Sequence, residues 1–131
     1  MRHVRAIVVL AAAAALTVPA AASADTNPTR VSPGSTASWV SPQQINLEVA
    51  VTCDEGLFYS LSARVLQQQG PFMQVFGSGF TNGQCTGRHQ RVAISIWASS
   101  FPGWQLGDAV VDVSACAFTC DSAARSIRIA L

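Results

Sequence analysis

Four cysteines, one histidine beyond the first few residues and a scatter of carboxylates are the side chains of this sequence that can do chemistry. A Ser-His-Asp hydrolase needs an imidazole to take the proton of its serine. His89 is flanked by Arg88 and Gln90, and no serine stands in a nucleophile elbow. Asp54-Glu55 is the one adjacent acid pair. Glycosidase carboxylates work across a substrate from separate positions, so neighbours at a turn read as solvated charges. Asp108, Asp112 and Asp121 lack the dense Asp/Asn/Gly spacing of a calcium loop. No Gly-rich loop joins a strand to a helix as a phosphate site would require. With His89 alone to accompany the cysteines, zinc is not expected either. The sequence points away from an enzyme, and no metal or cofactor is expected.

The cysteines are better read through the start of the chain. Met1-Arg2-His3-Val4-Arg5 is a basic head, Ala6 to Val18 an apolar run, and Ala22-Ser23-Ala24 a small-residue cleavage site. Residues 1–24 therefore read as a secretory signal peptide. The apolar run is short of the roughly 20 residues that span a bilayer, and no later stretch is long and apolar enough to insert. Removing 24 of the 131 residues leaves 107, one small domain over residues 25–131. The expected location is extracellular. Six arginines then face seven carboxylates, with no lysine and a formal balance of −1. The arginines are scattered, with only Arg88 to Arg91 locally basic, so nucleic acid is not an expected partner.

In an oxidising compartment, four cysteines in a short chain read as two disulfides. Cys116 and Cys120 would stand about 13 Å apart in an extended strand, beyond the reach of a bond, so pairing them demands a tight loop at Ala117-Phe118-Thr119. The rival is Cys53–Cys116, the bridge between the sheets of immunoglobulin domains. Cys53 is in phase with the apolar side of its strand, whereas Cys116 is out of phase with Val111 and Val113. The expected pairs are Cys53–Cys85 and Cys116–Cys120.

The elements that must hold these groups are strands. Ile45, Leu47, Val49, Val51 and Cys53 alternate with Asn46, Glu48, Ala50 and Thr52, the two-residue period of a half-buried strand. Leu57 to Val65, Gln90 to Ser99, Asp108 to Ala115 and Ala124 to Leu131 alternate likewise, with Leu131 on the inward phase. Asp25 to Ser35, with Pro28, Pro33 and Gly34, reads as a frayed lead into a short strand at Thr36–Val40. Phe72 to Phe80 reads as a strand closed by an Asn82-Gly83 hairpin turn, since both residues tolerate positive φ. About seven antiparallel strands without an amphipathic helix predict an all-β, immunoglobulin-like sandwich with two disulfides.

Aromatic placement carries the functional expectation. Phe72, Phe76 and Phe80 share one face of their strand, with Met73 and Val75 on the other. Trp97 is out of phase with Ile94 and Ile96, which puts it on an outer face, and Phe101-Pro102-Gly103-Trp104 is an unusually apolar turn. Phe72, Phe76, Phe80, Trp97, Phe101 and Trp104 form the candidate binding surface.

The alanine-rich leader, the strand ending at Cys53, Gln67 to Gln69, the Gly77-x-Gly79 hairpin and Cys85-Thr86-Gly87 resemble a group of small exported actinobacterial domains of unknown function, over residues 44–98. A looser likeness links the chain to the neocarzinostatin-type apoproteins. That likeness implies an exported seven-stranded sandwich whose second disulfide closes a short loop late in the chain. Two functions are expected from these readings. One is a non-catalytic module that binds an unknown protein through an edge or apolar face. The other is a carrier holding a small apolar ligand in a cleft lined by the aromatics.

Overall fold

The computed structural model describes residues 27–131. Residues 1–24, the expected signal peptide, lie outside the described residues. Seven strands make up the fold: β1 (Arg30–Ser41), β2 (Gln44–Thr52), β3 (Phe58–Gln68), β4 (Gln74–Gln84), β5 (Gln90–Ala98), β6 (Gly107–Cys116) and β7 (Cys120–Ala130). There is no helix among the described residues.

These strands close into a barrel in the order β1-β2-β5-β4-β3-β6-β7, and not into the expected immunoglobulin-like sandwich. The difference lies at two seams. β4 meets β5 through Gly77↔Ala98 and Ser78↔Trp97. β1 meets β7 through Thr36↔Arg128, Ala37↔Ile129 and Ser38↔Ala130, and this pairing is parallel. Short as they are, the seams join margins that a sandwich would leave open, although residues 79–84 of β4 and 90–96 of β5 have no ladder partner across the β4–β5 seam. Where the β1–β7 ladder stops, side chains of the β6–β7 hairpin continue it. The backbone N–H of Val31 donates to Asp121 Oδ2 at 2.8 Å, that of Thr29 to Thr119 Oγ1 at 2.8 Å, and Arg125 donates to the carbonyl of Pro33 at 2.9 Å. Thus the segment expected to be frayed is strand from Arg30 onward, with a register shift between Pro33 and Ala37 that absorbs the proline.

Alternation places the core as the sequence predicts. Ile45, Leu47, Val49 and Val51 of β2 pack inward with Leu61 and Val65 of β3, Val111 and Val113 of β6, and Ile127 and Ile129 of β7. Leu131 departs from this, being exposed beyond the end of β7.

The Asn82-Gly83 turn does not exist. Both residues sit within β4, paired with Ser60 and Tyr59, and the Gly77-x-Gly79 stretch is likewise mid-strand. Packing, and not turn geometry, selects Gly83: a Cβ there would lie 2.5 Å from Tyr59 Oη.

The two ends of the barrel differ. At one end Cys53–Cys85 ties the β2–β3 turn to the β4–β5 loop with Cα atoms 5.4 Å apart, and Cys116–Cys120 closes the β6–β7 hairpin at 4.0 Å. Both pairings are those expected. The other end gathers the β1–β2 turn and the β3–β4 and β5–β6 loops. It is held by Trp104 and a cluster of glutamines. We call these the disulfide end and the loop end.

Candidate functional site

Outward positions of β3, β4, β5 and β6 form one continuous face, because closure brings them into register. A transverse row runs Gln44–Trp97–Ser78–Arg64–Asp112–Ala124, each residue the partner of the next on a neighbouring strand. Beside it runs Phe76–Leu66–Val110–Ser126, and on the other flank Phe80–Ser62–Ser114. In-register side chains on adjacent strands lie within about 5.5 Å at Cβ, so each row is a contiguous surface.

Four aromatics project from these strands: Phe76, Phe80 and Trp97, the last 55% exposed, and Phe58 at the disulfide end of β3. A groove of about 650 Å³ lies between Phe80 and Trp97, over Ser62, Arg64, Ser78 and Ser95. A second, of about 410 Å³, lies between Phe76 and Val110, over Leu66 and Gly77. Arg64 borders both. Arg64 faces Asp112 across the β3–β6 ladder and forms no ion pair among the described residues, whose pairs are Arg91–Glu48 at 3.9 Å and Arg128–Asp108 at 4.0 Å. Ser95, Gln44 and Asn46 bond to one another beside Trp97, with Gln44 Nε2 donating to Asn46 Oδ1 at 3.0 Å and Ser95 Oγ to the same oxygen at 3.0 Å.

The six aromatics expected to share a binding surface fall into three groups. Phe76, Phe80 and Trp97 are on the β3–β6 face. Phe72 and Phe101 lie apart from it on the β3–β4 and β5–β6 loops, 98% and 93% exposed. Trp104 is 2% exposed and belongs to the core. Its indole N–H donates to the carbonyl of Ile96 at 3.2 Å, its backbone N–H to the carbonyl of Pro42 at 2.6 Å, and its own carbonyl accepts from Trp39 Nε1 at 3.1 Å. It plugs the loop end.

Arg64, Leu66 and Val110 are the members of the face that sequence reading missed. A signal existed for Val110, an apolar residue on the polar phase of β6, as Trp97 is on β5. Three of the acidic residues have structural settings: Asp121 holds Val31, Asp108 pairs with Arg128, and Asp54 accepts from the backbone of Asn27 at 3.3 Å. His89 is exposed, in a groove of about 330 Å³ with Glu48 and Arg91. Among the described residues, no three His, Cys, Asp or Glu side chains come together to hold a metal ion.

The sequence matches no protein-family model and no curated protein.

Proposed function

We propose that the chain is an exported, non-catalytic protein-interaction module that docks through the outer face of β5–β4–β3–β6. The observation that carries this reading is the set Phe76, Phe80 and Trp97, held outward on two adjacent strands around Arg64. Aromatics and arginine are the residues on which binding energy concentrates at protein interfaces, and small neighbours such as Ser62, Ser78 and Ser95 let a partner reach them. On this reading docking proceeds through the side chains of the face. Two intramolecular disulfides are compatible with an extracellular protein, and with the leader-like start they support secretion.

The second reading, a carrier of a small apolar ligand, has the groove between Phe76 and Val110 in its favour. That groove is open on the barrel exterior, while the interior is filled by the core. A carrier needs a concavity that buries most of its ligand, so the docking reading is the stronger.

A photo-cross-linking residue at position 80 or 97, with Ser32 on the far wall as control, tests the proposal in the culture fluid of the source organism. Docking predicts a discrete protein adduct from positions 80 and 97 but not from 32, lost with Arg64→Ala. No adduct, together with a small molecule retained in native mass spectrometry, would transfer the case to the carrier.

A further inference from the structure

We propose that the loop end of the barrel docks at the interface of an electrically neutral lipid bilayer, with Phe72 and Phe101 as the inserting side chains. The two phenylalanines are almost wholly exposed, and Val40, Met73, Leu106 and Leu131 are exposed at the same end. Their loops lie side by side, since Gln69 Nε2 of the β3–β4 loop donates to the carbonyl of Gly103 in the β5–β6 loop at 2.8 Å.

Several glutamines of this end bond within it, while the side chains of Gln43, Ser100 and Gln105 are exposed. Gln67 Nε2 donates to Gln105 O at 2.8 Å, and Gln67 Oε1 accepts from the Gln105 and Gln69 nitrogens at 3.0 and 2.8 Å. Gln68 Nε2 donates to Gly70 O at 2.6 Å, and Gln74 Nε2 to Gln68 Oε1 at 2.8 Å. These glutamines tie the loops together, and Phe72 and Phe101 are the most exposed large apolar side chains of the barrel.

Charge is sorted along the barrel axis in the same sense. No charged residue occurs from Val65 to Gly87, from Val92 to Gly107 or from Val31 to Leu47, which covers every loop of this end. The charges nearest to it, Asp108 and Arg128, pair with one another. Asp54, Glu55, Arg88 and His89 lie at the opposite end.

A protein partner for such tips would have to supply fitted pockets. A bilayer interface asks only for apolar side chains at a shallow depth and no charge to desolvate. Without a basic cluster the tips gain nothing from anionic headgroups, so the surface they fit is a neutral one. Insertion stops at the loops. The barrel wall turns Arg64, Arg91, Glu48 and Asp112 outward, and charges on a lipid-facing strand oppose deeper burial. The sequence expectation of no membrane insertion weighed spanning segments, and two loop tips act at a shallower level. This inference rests on the loop end and is independent of the docking face.

The test is flotation of the purified protein with phosphatidylcholine vesicles. Binding is expected that is insensitive to salt and to added phosphatidylglycerol. Phe72→Ala and Phe101→Ala should each lower the partition coefficient about tenfold, as expected for removing a buried aromatic side chain. Phe72→Trp should fold normally and show a blue shift of its emission on adding vesicles. Absence of flotation, flotation unchanged in the double alanine variant, or an emission spectrum of Phe72→Trp indifferent to vesicles would each overturn the proposal. A discrete protein adduct from a cross-linker at position 72 or 101, with vesicles inert, would overturn it too and identify a protein as the occupant.

Discussion

Gly77 of β4 lies against the indole of Trp104: a Cβ at that position would sit 3.0 Å from the ring Cη2, nearer still to Cζ2, and 2.5 Å from the carbonyl oxygen of Trp97. The glycine is therefore set by close approach at the β4–β5 seam, where Gly77 pairs with Ala98. Gly77→Ala should destabilise the barrel by about 3 kcal/mol, the upper range for overpacking a well-filled site. Urea denaturation monitored by tryptophan fluorescence measures this, and a loss below about 0.5 kcal/mol would mean that the ring moves aside freely.

The two disulfides should differ in weight. Cys53–Cys85 spans 32 positions and Cys116–Cys120 spans 4. In the chain-entropy model these loops correspond to about 3.7 and about 2.1 kcal/mol. Replacing the first pair with alanine should therefore cost more than replacing the second, a ranking that denaturation of the two double variants reads directly.

Two tryptophans make a matched contrast. Trp104→Ala removes a buried side chain and a hydrogen bond to Ile96, and should cost about 3–5 kcal/mol. Trp97→Ala removes a half-exposed ring and should stay within about 1 kcal/mol. If Trp97→Ala proved as damaging as Trp104→Ala, the outer face would be structural and its role as a docking surface would fall.

Gln67 is buried, and its amide meets both the carbonyl and the N–H of Gln105. Gln67→Leu keeps the volume but strands those backbone groups, so a loss of about 2 kcal/mol is expected. Hydrogen exchange at the Gln105 amide should accelerate with it, while the Leu61 and Val65 amides on the same strand lose only what global stability loses.

The sequence reveals strands where one face is buried and the other wet. Ile45 to Val51 and Ala109 to Val113 announce themselves because inward and outward residues differ in chemistry. The phase of Cys116 against Val113 was enough to choose the disulfides. What stayed hidden depends on contacts between distant segments. Asn82-Gly83 carries a turn signal, yet Tyr59 claims the space above Gly83 and the strand continues. Barrel closure rests on two and three residue pairs, and no local pattern encodes pairings that few. Trp104 sits in an apolar turn, and burial could not be told from exposure without knowing that Gly77 leaves room for its ring. The proposed docking face was half legible. Trp97 was found by its phase, but Arg64 came into it only through its position between Ser78 and Asp112 on neighbouring strands.

The parallel contact between β1 and β7 also fixes where attachments to this barrel would point. β1 leaves the disulfide end at Arg30, and β7 finishes at the loop end, with Ala130 level with Ser38. Joining the end of β7 back to the start of β1 means retracing eight residues of β1, about 26 Å at strand spacing, along the outside of the barrel. A short circular-permutation linker will not reach. In copies fused in tandem the loop end of one barrel would lead into the disulfide end of the next, so that Phe72 and Phe101 would lie on the side of every junction.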